Sequence, residues 1–162
     1  MSAAEFFRWF TPIAVGLISA YVASLLALRK FKREKVWDER RTAYKELIET
    51  VEEIIYWAEQ VRASHCCEPT IGHEGDVNAS LRTLAKYSAT GALIFSDKFH
   101  EVVMNANIRI HKLMFQIDDE SMPDLHSERE MADWRLIQAT EIRKILEECL
   151  PELIRVAKSE QI

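Results

Sequence analysis

WDERRTAYKELIETVEEIIYWAEQV, residues 37–61, is the stretch on which the fold turns. Trp37, Tyr44, Val51 and Ala58 recur every seven residues, with Leu47, Ile54 and Val61 at the alternate step. That spacing returns side chains to one side of a 3.6-residue helix and alternates across a strand, so it predicts a helix. Ile48 and Ile55 widen the stripe beyond the two-position seam of a coiled coil. A face that broad is buried by several neighbours, which points to a bundle.

Upstream, nothing interrupts the helical pattern. Residues 9–28, WFTPIAVGLISAYVASLLAL, carry no charge, and as a helix they span roughly 30 Å, the thickness of a bilayer's hydrocarbon core. Phe6, Phe7, Trp9 and Phe10 gather at one end, where aromatic rings favour the membrane interface. Arg29, Lys30, Lys32, Arg33 and Lys35 follow the other end within seven residues. Cationic flanks stay on the cytoplasmic side, so the expected topology is a single pass through the inner membrane, N-terminus outside and C-terminus in the cytoplasm. A cleaved signal peptide fits poorly, because the apolar run is too long and its charges come after it. Residues 1–35 hold six Lys/Arg against two Asp/Glu, whereas residues 36–162 hold fifteen against twenty-four. The division expected is therefore a membrane anchor with its basic segment over 1–35 and a cytoplasmic domain over 36–162.

Downstream, the first helix is expected to end near His65, before Cys66-Cys67-Glu68-Pro69 and the glycines at 72 and 75. A second begins at Asp76 or Asn78 and runs through Leu81, Leu84, Ala85 and Ser88, weakened by Gly91. Ser96 caps a third, whose apolar face is Phe99, Val103, Ala106, Ile110, Leu113 and Ile117. DDESMPD, 118–124, reads as a loop. Ser127 and Glu130 form a capping box for a fourth helix through Met131, Trp134, Ile137, Ile142, Ile145 and Cys149, with Pro151 kinking it or opening a short last helix. The fold class is thus all-α: a transmembrane helix continuing into an antiparallel cytoplasmic bundle of about four helices. With four glycines and four prolines in 162 residues, a β-sandwich or a disulfide scaffold is excluded.

Catalytic patterns are missing. His100-Glu101 lacks the second histidine of a zinc protease helix, because Met104 stands there. Asp97 and His100 are one imperfect pair where a di-iron bundle needs several. Adjacent cysteines are poorly spaced for zinc, and no phosphate-binding glycine loop occurs. The Arg–His spacings at Arg62/His65 and Arg109/His111 are shorter than those of all-helical nucleases of the HEPN type. The expectation is a protein that is not an enzyme and needs no cofactor.

Two features remain. In the apolar stretch, Gly16, Ala20 and Ser24 stand four residues apart, beside Ser19, Ala23 and Ala27. Small residues at this spacing let helices approach closely in lipid, which points to a homo-oligomer. In the soluble part, residues 77–117 carry Arg82, Lys86, Lys98, Arg109 and Lys112 against Asp97 and Glu101, in an otherwise acidic domain. If helices two and three fold back on each other, Arg82, Lys86, Arg109 and Lys112 share one surface that suits the phosphates of a nucleotide or oligonucleotide, or an acidic protein partner.

Lys35, Trp37, Asp38, Arg40, Ala43 and Tyr44 fit a juxtamembrane pattern K-x-W-[DE]-x-[RK]-x-x-A-Y. In this it resembles small bacterial single-pass membrane proteins, some of them membrane effectors of antiviral operons, including Hailong-type effectors. The resemblance implies an oligomeric ion channel gated by a small nucleic-acid ligand on its cytoplasmic domain. The competing expectation is a membrane-anchored adaptor or scaffold without catalysis.

Overall fold

The computed structural model describes the backbone of residues 3–70, 76–120 and 127–160, and the side chains of those from residue 15 onward, 120 excepted. The side chains of Phe6, Phe7, Trp9 and Phe10, and the 72–75 loop, lie outside what is described. Every described element is helical: α1 (Ala3–His65), α2 (Val77–Thr90), a 3₁₀ turn (Gly91–Leu93), α3 (Asp97–Glu120) and α4 (Glu128–Glu160). The chain divides into two units, Met1–Arg41 and Thr42–Ile162, with α1 contributing to both.

Unit Met1–Arg41 is a stretch of α1 whose side chains are exposed from Val15 on. Among the described residues no helix is long and apolar enough to cross a membrane. The 9–28 stretch is fully described only from Val15, which leaves fourteen residues, or about 21 Å of helix axis.

Unit Thr42–Ile162 is the bundle. Its core is built on the expected stripes: Tyr44, Leu47, Val51, Ile54 and Ala58 from α1, Phe99, Val103, Ala106, Ile110 and Ile117 from α3, and Ile142, Ile145 and Cys149 from α4 are all buried. Cross-helix side-chain pairs give the topology. On α1 and α2, Tyr87 donates to Glu46 (2.6 Å) and Ser80 to Glu53 (2.8 Å). On α1 and α4, Tyr44 donates to Glu160, and Arg143 donates to Glu59. In each set the residue number rises on one helix as it falls on the other, so α1 runs antiparallel to both.

Local chemistry accounts for the ends. The Asp76 carboxylate accepts from the Asn78 amide at 3.0 Å. The hydroxyls of Ser96 and Ser127 accept from the amides of Phe99 (3.2 Å) and Glu130 (3.3 Å), the third residue of each helix. At the end of α1 the Glu68 amide donates to the Ala63 carbonyl (2.8 Å) and Cys67 to Ser64 (3.2 Å), the paired bonds of a Schellman cap. Cys67 stands at its left-handed position with φ 56°.

Several expectations are corrected. Trp37 is 46% exposed and lies in the first unit, so the buried stripe begins at Ala43 and Tyr44. α3 continues through Glu120, so Asp118 and Asp119 are helical rather than looped. Ile137 is 47% exposed and Ala139 takes the core position beside it. Pro151 lies inside α4 without ending it. Proline cannot donate to the Glu147 carbonyl four residues back, and the break falls where both residues are exposed and solvent is at hand.

Candidate functional site

Three groups of residues stand out, each within one unit. The first is the described part of the apolar stretch. At 100° per residue, Gly16, Ser19, Ala20, Ala23, Ser24 and Ala27 occupy about 140° of the helix circumference. Val15, Leu17, Ile18, Tyr21, Val22, Leu25, Leu26 and Leu28 fill the remainder, with no small residue among them. Both sides are exposed; Leu17 retains 68% of its surface and Leu26 61%. Among the described residues, a Cβ placed on Gly16 would meet no atom within 4 Å beyond its own stretch of helix backbone. The described stretch thus has no charged side and its side chains are sorted by size around the helix. The basic segment follows it directly, and Arg29, Lys30, Lys32, Arg33 and Lys35 are all exposed.

The second group is a polar knot at one end of the bundle. The Glu160 carboxylate receives the hydroxyls of Tyr44 and Ser96, one on each oxygen. The Ser96 amide donates in turn to the Tyr44 oxygen at 3.4 Å. Around it, Tyr44 meets Phe99 edge-on with centroids 4.5 Å apart, Phe95 lies 4.8 Å from Phe99, and Tyr87 lies 5.4 Å from Phe95. Burial, and after it the bond to Glu160, pushes the Tyr44 phenol up. Burial and the Glu46 carboxylate push Tyr87 up to about 12. These phenols stay protonated and act as donors; the last turn of α4 is fastened to α1 and to the start of α3 at once. No sequence signal joins residues 44, 96 and 160, because the contact is purely tertiary.

The third group is the expected basic patch. Arg82, Lys86, Arg109 and Lys112 are all exposed. The Arg109 guanidinium, however, donates to Glu148 of α4 at 2.7 Å, which raises its pKa further. His100, nine residues earlier on α3, points the other way: its ring Nε2 sits 2.8 Å from the Ser88 carbonyl of α2. Nine residues are half a revolution, so Arg109 is turned to α4 and Arg82 and Lys86 stand on the helix across from it. Arg82 and Lys86 stand one turn apart on α2, Arg109 and Lys112 nearly one turn apart on α3, and Lys86 lies 5.5 Å from the Tyr87 ring centroid.

No family model, curated protein or solved structure matches this chain. The reading of its function therefore rests on the residues themselves.

Elsewhere, Arg62 bridges Glu59 (2.6 Å) and Glu68 (2.8 Å), and Arg143 reaches the same Glu59 from α4. The bond from Arg62 first, and the charge of Arg143 after it, hold Glu59 below the usual carboxylate range. Charges so shared fix the end of α1 rather than wait for a ligand. Cys66 and Cys67 are exposed thiols at that end, whereas Cys149 is buried, which pushes its thiol up and makes it inert. Among the described residues no group of three or more His, Cys, Asp or Glu side chains is placed to hold a metal ion.

Proposed function

We propose that the chain is a single-pass membrane protein of the inner membrane that works as a homo-oligomer, an effector or ion channel whose cytoplasmic bundle receives the gating signal, as in antiviral membrane effectors. The observation that carries this is the sorting of residues 15–28 by size around a helix with no charge and an exposed surface on every side. Lipid tails accept the large side chains; the small ones admit another helix at close range. In water such a surface would be covered. The 9–28 length and the cations after it complete the argument for insertion, with the bundle inside. One helix cannot enclose a water path, so conduction requires several copies around an axis. Thr11, Ser19, Tyr21 and Ser24 are the only hydroxyls available to line it, and such a pore, largely apolar, blocks ions by dewetting at rest.

The test is assembly. In mild detergent the full chain is expected to run as an oligomer, and Gly16→Leu with Ala20→Leu to break it down while the bundle melts unchanged, since both residues lie in the other unit. A monomeric wild type would end the channel reading.

A second reading, a non-catalytic adaptor anchored at the bilayer, is favoured by a different observation. α3 exposes Met104 (38%), Ile108 (41%) and Phe115 (73%) on the side away from its buried residues. With Arg109 already engaged by Glu148, that side suits a protein partner better than a phosphate group. A wild-type monomer that remains bound to membranes would establish the adaptor instead.

A further inference from the structure

Between the apolar stretch and the bundle, α1 presents five cations in seven residues against Glu34 alone. Lys30 sits 3.6 Å from Glu34, with both side chains largely in solvent. Arg29, Lys32, Arg33 and Lys35 have no carboxylate partner among the described residues. At 100° per residue the five cover about 220° of the circumference, and Phe31 and Glu34 occupy the remaining 140°. They form a collar, not a face. From residue 29 to residue 35 the collar is about 9 Å tall, and it begins at the residue after Leu28, where the apolar stretch stops.

Those dimensions have a physical counterpart. A bilayer is about 30 Å of hydrocarbon within about 40–45 Å in all, so each headgroup layer is about 5–8 Å thick. A helix that fills the hydrocarbon with residues 9–28 places its collar in that layer, cationic over about 220° of its girth. We propose that the collar binds the phosphates of anionic phospholipids in the leaflet it enters, gathering them around the helix. This rests on the membrane reading given above. Nucleic acid is the poorer match, because a duplex or strand needs its cations on one face or along a groove. Exposed Phe31 (63%) stands inside the collar, where an aromatic ring suits the headgroup boundary.

Each cation close to an anionic surface improves association about fivefold, and the gain decays within a Debye length of about 8 Å at physiological salt. Shared among the lipids that touch one helix, this gives an expected enrichment of at least about threefold. The full chain is reconstituted in vesicles of equal phosphatidylcholine and phosphatidylglycerol, and flotation establishes that it is membrane-bound. It is then extracted in mild detergent, and the lipids it retains are counted by mass spectrometry. Phosphatidylglycerol should exceed phosphatidylcholine at least threefold at low salt, and the ratio should fall to near one in 1 M NaCl. It should also fall to near one in the variant carrying Arg29→Gln, Lys32→Gln, Arg33→Gln and Lys35→Gln. A wild type that floats yet retains both lipids equally overturns the proposal and leaves the anchor intact. So does a preference that survives both the salt and the substitutions. Equal retention together with tight binding of a single-stranded oligonucleotide would assign the collar to nucleic acid. A wild type that fails to float overturns the membrane reading itself.

Discussion

Tyr87→Phe tests the aromatic end of the bundle through its pH dependence. Tyr87 is 5% exposed, and its hydroxyl donates to Glu46 at 2.6 Å. Burial first, then the carboxylate, carry its phenol to about 12 against about 10 in an unfolded chain. Because the folded value is the higher, the associated stability is complete below pH 10 and is lost as pH rises through about 12. Two units at about 1.36 kcal/mol each set a ceiling of about 2.7 kcal/mol. Glu46 is exposed, so solvent screens the contact and about 1–2 kcal/mol is the expected share. Tyr44, raised by burial and by Glu160, adds a loss of the same sign. At pH 8 the phenylalanine variant should be less stable by about 1 kcal/mol, the value of a hydrogen bond whose acceptor returns to water. Thermal unfolding of the full chain in mild detergent, followed by circular dichroism at pH 8 and pH 11.5, reads this at about 4 °C per kcal/mol. The wild type should lose more on the alkaline side than the variant, so that their melting temperatures converge. Equal alkaline losses would mean that Tyr87 ionises as it does in water, and the account of a buried donor locked to Glu46 would fail.

Gly91→Ala sets two effects against each other: its helical backbone (φ −62°, ψ −26°) gains up to about 1 kcal/mol from alanine, but the new Cβ would stand 2.9 Å from ring carbons of both Phe95 and His100. Those rings are held by the aromatic cluster and by the Ser88 carbonyl, so a net loss of about 1–2 kcal/mol in melting experiments is expected, and a gain would show that they yield. Cys67→Gly should raise stability by about 0.5–1 kcal/mol in the same assay, because φ 56° costs a side chain and costs glycine nothing. Glu160→Ala, which strips the acceptor from the buried Tyr44 hydroxyl and from Ser96, should cost about 2–3 kcal/mol and alter the near-ultraviolet tyrosine dichroism; an unchanged spectrum would mean the knot does not order that end.

The parts of the fold legible in sequence are those set by local periodicity and caps. Phe99, Val103, Ala106, Ile110 and Ile117 are four or three residues apart, or a whole number of such steps, and all are buried. Asp76, Ser96 and Ser127 announce helix starts because one short polar side chain can satisfy an amide two or three residues on. What escaped is tertiary. Tyr87 belongs to the core by its ring, yet its partner is 41 residues away on α1, and Glu160 reaches 116 residues back to Tyr44. Ile137 falls out of the period of α4: at 100° per residue it lies on the far side from the face formed by Ala139, Ile142, Leu146, Cys149 and Leu153, so it is exposed. Cys67 carries no glycine to mark the left-handed cap it forms.

The same division runs through the candidate sites. Charge patterning on two helices says that cations are near in sequence; it does not say which flank of each helix faces its neighbour. Arg109 shows the difference, since half a revolution separates it from the His100 side that meets α2 and delivers it to Glu148. The apolar stretch and the collar need no such information. A helix that is small on one side and large on the other, with five cations at its end, is a pattern visible in sequence alone, whereas the bilayer proposed to surround it lies outside the chain and is decided by flotation and assembly. Residues whose role depends on a partner residue, such as Arg109 on Glu148, become readable only after the structure.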